Sequence, residues 1–276
     1  MYREWPSVVE HTVVWTARAE GRREDRMVLP DGCMDLLWLD GELVIAGPDT
    51  AAYHTTWTPS VYVGLRFAAG VGPCVIGVPA REVRDQRVPL AQIWPSAEVR
   101  RLSERLGQAA HPPSRILEKV VLDRLADGAR PDPVAEFAVE MLGRGMSVES
   151  VADAVGFSER QLRRRSLDAF GYGPKTLARI IRLNRALDLG RLGRQPAEAA
   201  LVAGYSDQAH LARDVKALTG TTFTSLVSDA ANEVPGAGQA SSDGRAANRS
   251  TSLPSGSLTE AYRWPQKASH GSRSPG

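Results

Sequence analysis

Arg160, Arg163 and Arg164 stand at spacings that gather them on one side of a helix, opposite Leu162, Ser166 and Phe170. A guanidinium is a planar fork of donors that pairs bidentately with O6 and N7 of guanine, so such a row carried into a major groove reads bases. A solvated helix face looks the same, and on these three residues alone the two readings stand level. Other chemistry is poorly supplied. Cys33 and Cys74 are far apart, in no CxxC or Cys/His spacing, and among His11, His54, His111, His210 and His270 no pair has ligand spacing. No metal site and no cofactor is expected.

The elements that must hold the arginines are legible. In Ser147 to Phe170, Ser147 reads as an N-cap, and Val148, Val151, Ala152 and Val155 form an apolar stripe. Gly156 ends that short helix, and Ser158 caps a second one beginning at Glu159. Two helices joined by a Gly-x-Ser turn form a helix-turn-helix, whose second helix lies in the major groove.

The arrangement recurs over Pro196 to Gly220, with Pro196 near a helix start, Gly204 as the stop, Ser206 as the next cap and a second helix of about Asp207 to Leu218. Leu211, Val215 and Leu218 face one way; Ala209, Ala212, Arg213 and Lys216 face the other. Between the motifs, Lys175 to Leu192 reads as one helix of about 18 residues, roughly 27 Å long. Such a spacer holds two recognition helices about one DNA turn, roughly 34 Å, apart on one face of a duplex.

Over Ser147 to Val227 the chain resembles the AraC family of bacterial transcription regulators. The resemblance rests on Gly156, Ser158, Arg160, Leu162, Arg164, Gly171 and Pro174, then Arg182, Leu183, Asn184, Arg185 and Ala186. It continues through Gly204, Tyr205, Asp207, His210, Leu211, Arg213, Lys216 and Gly220. Ser166 departs from it, standing where the family has Phe, with Leu167 or Phe170 expected to compensate; Phe223 stands where the second block ends in Thr-Pro. The resemblance implies that Arg160, Arg163 and Arg164 face bases or nearby phosphates, with Gln208, Ala209, Ala212 and Arg213 as the corresponding positions of the second motif. The alanines there fit apolar contacts to thymine methyls. Lys216 joins the same DNA-facing set. His210, Tyr205 and Phe157 are expected to pack.

The chain has 276 residues and a net charge of +2, but the charge is uneven. Gly143 to Ser228 holds 13 Lys/Arg against 8 Asp/Glu, a net +5 that leaves the remainder at −3. No run nears the roughly 20 apolar residues of a membrane span, and the N-terminus has no signal-peptide pattern, so a cytoplasmic protein is expected. From about Arg26 to Phe67 the pattern is short strands, with Asp40-Gly41 as a hairpin turn and Val61 to Phe67 as a further strand. Pro73 to Pro95 is irregular. From Ala97 helices follow, the second opened by Pro112-Pro113. The stretches LPDGCMDLLWLDG, GLRFAAGVG and IGVPAREVRDQRVPL resemble cupin-like sensor domains. Trp38, Tyr53, His54, Trp57 and Arg66 are the candidates for an effector pocket in that region, with the ordinary core role of such aromatics set against it.

The expected fold is α+β: a cupin-like sensor and dimerisation domain with a helical extension over 1–130, an all-α double helix-turn-helix over 131–229, and a disordered tail over 230–276, rich in Ser, Gly, Pro and Ala. The expected function is a sequence-specific, non-enzymatic DNA-binding regulator under a small effector. Double-stranded DNA, read at two adjacent major-groove segments, is the main partner; RNA polymerase and a second copy of the chain are further candidates. The competing classes are a DNA-repair alkyl-transfer enzyme, which needs an activated cysteine thiolate or a four-cysteine zinc site, and a cupin-type enzyme, which needs metal ligands.

Overall fold

Period-two alternation in the N-terminal strands sends side chains to two different cores. The computed structural model of the chain describes residues 2–19, 23–108, 111–231 and 251–252. Its strands are β1 (Tyr2–Pro6), β2 (Thr12–Arg18), β3 (Glu24–Val28), β4 (Met34–Leu39), β5 (Glu42–Ala46), β6 (Tyr53–Trp57), β7 (Val61–Phe67), β8 (Arg87–Pro89) and β9 (Thr251–Ser252). A six-stranded sheet runs β1-β2-β7-β4-β5-β8 and a smaller one β6-β3-β9. In the large sheet all pairings are antiparallel, with Trp15 opposite Gly64 and Asp35 opposite Arg66.

One face of the large sheet, with Val14, Leu36, Ile45, Leu65 and Phe67, packs on α1 (Gly72–Ile76), α2 (Ala80–Val83), α3 (Ser96–Gly107) and α4 (Pro113–Ala126). The other face, with Trp15, Ala17 and Tyr62, packs on Trp57 of the small sheet. Gly64 has no substitute there, because a Cβ would lie 2.2 Å from the Trp15 indole. The β4–β5 turn is the expected Asp40-Gly41 pair, with φ of 47° and 84°.

Two strands precede Arg26, where the sequence reading began its strands. Their connection lacks the usual Gly or Asn-Gly signal: His11 takes the left-handed conformation there, at φ 59°. The expected tail over 230–276 lies almost wholly outside the described residues; Thr251 and Ser252 pair parallel with Arg26 and Met27.

The remaining helices are α5 (Pro133–Gly143), α6 (Val148–Ala154), α7 (Glu159–Phe170), α8 (Pro174–Arg191), α9 (Pro196–Ala203), α10 (Gln208–Thr219) and α11 (Phe223–Ala231). The 18-residue α8 serves two cores. Leu177, Ile180 and Ile181 close one with α5, α6 and α7, and Leu183, Ala186 and Leu187 close the other with α9, α10 and α11. Close approach of α8 and α11 requires Gly190, where a Cβ would sit 2.6 Å from Val227. The N-terminal region enters both cores: Ala69 joins the first, and Met27 and Leu29 join the second.

Candidate nucleic-acid interface

The first motif is built by its caps. The Ser147 hydroxyl accepts from the Ser150 amide, starting α6. Gly156 then takes φ 69°, turning the chain. Ser158 and Gln161 form a reciprocal capping box at the start of α7, each side chain accepting from the other's backbone N–H. Two of the orphan donors at the start of α7 are thereby satisfied within the protein.

Leu162, Ser166, Ala169 and Phe170 form the buried side of α7. Ser166 is 1% exposed and its hydroxyl has no hydrogen-bond partner among the described residues, so it fills a small apolar site. Phe170, also 1% exposed, supplies the missing bulk one turn later. Arg160, Arg163 and Arg164 are exposed, and among the described residues nothing pairs with them by hydrogen bond or salt bridge.

Arg165 differs from its neighbours, a distinction that spacing alone did not reveal. It reaches both carboxylate oxygens of Asp132, at 2.8 and 2.9 Å, and lies 5.2 Å from the Phe157 ring centroid. Asp132 also caps α5 by accepting from the Val134 amide. One carboxylate thus starts α5 and ties α7 to it.

In the second motif the cap differs from the sequence reading. Asp207, not Ser206, is the N-cap: its carboxylate accepts from the His210 amide at 2.6 Å, and this bond holds its pKa below the usual carboxylate range. The shorter Ser206 side chain stands outside the helix, 3.2 Å from both Asp207 and the His210 ring. An ionised carboxylate is the stronger acceptor at a helix N-terminus. Leu211, Val215 and Leu218 are buried. Gln208, Ala209, Ala212, Arg213 and Lys216 are exposed, but the Lys216 ammonium donates to the Gly220 carbonyl at 2.6 Å, capping the end of α10. Tyr205 is buried, with His210 edge-on at 5.1 Å, and burial pushes its hydroxyl up to about 12.

An ion-pair cluster fixes α10 to α8. Asp214 is 8% exposed and receives Arg179 at 2.9 Å, with Arg182 at 3.9 Å. These cations serve the scaffold, so α8 contributes less free positive charge than its sequence implies. At α11, Thr222 accepts from the Ser225 amide as the cap and Phe223 is buried against Gly190, so the departure from Thr-Pro leaves a regular helix start.

The five effector candidates are not gathered. Arg66 and Trp57 lie between the two sheets, whereas Trp38 packs on the helix-covered face. Tyr53 lies under Arg87, 3.9 Å from its ring centroid, beside the Arg87–Asp49 ion pair; His54 is exposed. Arg66 is 6% exposed, faces Asp35 at 3.4 Å and Asp31 at 3.8 Å, and leaves Nη1 without a hydrogen-bond partner among the described residues. A cleft of about 540 Å³ opens elsewhere, between α3 and α4, with Cys74, Leu102 and Val120 below and Arg101, Arg105 and Arg124 around it.

Burial pushes the Cys33 thiol well above its ordinary range, and Cys74 up to about 11. Both shifts run opposite to the lowered pKa that activates an alkyl-acceptor cysteine. Among the described residues no group of three or more His, Cys, Asp or Glu side chains is placed to hold a metal ion, and no helix is long and apolar enough to cross a membrane.

Residues 151–228 match the family described as a helix-turn-helix domain, and residues 7–89 match a domain of unknown function, DUF6597. An uncharacterized HTH-type transcriptional regulator of Bacillus subtilis, YbfI, is 31% identical over 78 residues, which is 28% of this chain and 28% of that protein. The crystal structure of apo ToxT K231A from Vibrio cholerae is similar at 10% identity over 79% of this chain and 97% of that one, with a TM-score of 0.43. ToxT bound to an unsaturated fatty acid gives 10% identity over 78% and 94%, with a TM-score of 0.38; at such scores the likeness carries no functional weight. Paired capped motifs sharing one connecting helix, the signature residues they present and the match over 151–228 together establish that this chain carries an AraC-type helix-turn-helix domain behind its β-rich N-terminal region.

Proposed function

We propose that the chain is a sequence-specific regulator of transcription that binds duplex DNA through two successive major-groove segments and is controlled through its N-terminal region by a small effector. The carrying observation is the contrast along α7. Arg165 is consumed by Asp132, while Arg160, Arg163 and Arg164 stand exposed, with no pairing partner among the described residues, on a helix with a doubly satisfied N-terminus. Guanidiniums held out in this way cost little to redirect onto a base edge or a phosphate.

The second recognition helix is chemically plainer. Arg213 and Gln208 offer polar contacts, Ala209 and Ala212 offer only methyl groups, and Lys216 must leave the Gly220 carbonyl to reach a phosphate. In this reading the first motif carries most of the base discrimination and the second adds affinity and register. Of the effector candidates, Arg66 has the best claim, because it is buried beside Asp31 and Asp35 with Nη1 left without a hydrogen-bond partner among the described residues. RNA polymerase and a second copy of the chain belong to the same proposal as partners, and a non-enzymatic, cytoplasmic role follows from it.

The test is selection of bound duplexes from a random pool with the intact chain, followed by titration at two salt concentrations. A motif spanning two segments one turn apart is expected. Binding that is equal on selected and scrambled duplexes would reduce the arginine face to a general polyanion surface.

A further inference from the structure

Both recognition helices end on the N-terminal domain. At the end of α7, Gly171 takes φ 77° and its carbonyl accepts from Nη1 of Arg84 at 3.0 Å. One turn earlier Asp168 pairs with Arg81. The fit is close: a Cβ on Gly171 would lie 3.0 Å from Pro48, 3.2 Å from the Ala80 carbonyl and 3.2 Å from the Arg84 side chain. At the end of α10, the Leu218 carbonyl accepts from the Ala52 amide at 2.7 Å.

Pro48, Ala52, Ala80, Arg81 and Arg84 belong to one connected corner of the N-terminal domain. Asp85 joins its two chain segments: its amide donates to the Pro48 carbonyl at 3.1 Å, and its carboxylate accepts from the Thr50 amide at 2.7 Å. The last carbonyls of a helix are otherwise orphan acceptors, so donors from a common body fix where both helices point. The α8 connector joins the two motifs, but its two halves serve separate cores, and any bend or twist in it changes the angle between them.

We infer that this corner of the N-terminal domain sets the position of the two recognition helices relative to each other, with Arg84 as a positioning residue. It thereby decides which spacing between two DNA segments the chain accepts. The inference rests on the regulator reading above and deepens it, since a change within the N-terminal domain would be felt at the ends of both helices. Arg84 lies on the buttressing side of α7, away from the DNA-facing arginines, so its effect on DNA passes through Gly171.

The test uses the intact chain and the operator it selects. Parent, Arg81→Ala, Arg84→Ala and Arg84→Lys are titrated on that operator, on duplexes with one base pair added or removed between the two segments, and on a duplex retaining only the first segment. The parent is expected to lose about tenfold or more on altered spacing, as for other mismatched sites. Arg84→Ala should discriminate spacing by less than about threefold while keeping the parent's affinity for the single segment and its salt slope. Arg84→Lys, which retains a cationic donor, should restore most of the discrimination, and Arg81→Ala should show a weaker form of the loss. Thermal melts check that each variant is folded; both side chains are partly exposed, so folding is expected to survive. If Arg84→Ala and Arg81→Ala discriminate spacing as sharply as the parent, α8 alone sets the geometry and the inference falls. If the parent selects no operator, the regulator reading fails first and takes this inference with it.

Discussion

Asn184, near the middle of α8, donates from Nδ2 to the Pro30 carbonyl at 2.8 Å and to the Ile180 carbonyl at 2.9 Å. It is 1% exposed and lies where the core of the first motif gives way to that of the second. A single amide therefore joins the N-terminal domain to the helix shared by both motifs.

Asn184→Ala leaves the buried Pro30 carbonyl without its donor and should lower unfolding stability by about 1–3 kcal/mol. Asn184→Asp should cost more at neutral pH, because a carboxylate presents only acceptors to two carbonyl oxygens. Denaturant unfolding of both variants checks this; a change below about 0.5 kcal/mol for Asn184→Ala would mean that water or a local shift replaces the bond.

Arg163→Ala and Arg164→Ala should each weaken operator binding while leaving the melting temperature in place. Losing a base contact costs roughly 1–3 kcal/mol on the specific site, whereas losing a phosphate contact weakens all sites alike and reduces the salt slope by about one unit. Leu162→Ala, by contrast, opens a cavity at a fully buried position and should destabilise the fold by roughly 2–5 kcal/mol. Titrations on operator and scrambled duplex, paired with melts, separate the two behaviours. Arginine variants that bind like the parent would make this face ordinary solvated surface.

Gly171→Ala should destabilise by about 1–3 kcal/mol, since the backbone is left-handed there and the added methyl meets Pro48 and the Ala80 carbonyl. Gly156→Ala has the same conformational problem but open space around its Cβ, so its loss should be smaller. Equal melting-temperature losses in the two variants would show that close packing at Gly171 contributes nothing.

Stability should depend on pH through Asp31. Burial raises its pKa, against the lowering by the Arg66 guanidinium beside it. In the window from about 3.9, where an unfolded Asp loses its proton, to the raised native value, the folded chain binds more protons than the unfolded one. Stability therefore falls as pH rises through that window. Asp31→Asn keeps an acceptor for the Cys33 amide, which Asp31 now receives at 2.9 Å, and should flatten this part of the profile. Unfolding midpoints measured from mildly acidic to neutral pH would coincide for parent and variant if Asp31 ionised normally.

Much of the second half of this chain is written in short-range signals. Ser147, Ser158, Gly156, Gly204 and Pro174 each act within a few residues of their own position, so helix starts and stops, and the exposed side of α7, follow from local chemistry. Even there the Ser206 reading failed, because Ser and Asp both cap and only the geometry of the turn selects between neighbours.

The sequence by itself determined the paired motif, its connecting helix and which arginines are free of the apolar side. Tertiary structure alone decided which neighbouring arginines are already occupied: Arg165 by Asp132, and Arg179 and Arg182 by Asp214. It alone separated Trp38 from Arg66 across the large sheet, and brought Arg84 to Gly171 and Ala52 to Leu218. The physical reason is distance along the chain. Caps and helix periodicity are set by neighbours one to four residues away, whereas an ion pair or a buried carbonyl finds its partner only after elements 33 to 166 residues apart have packed.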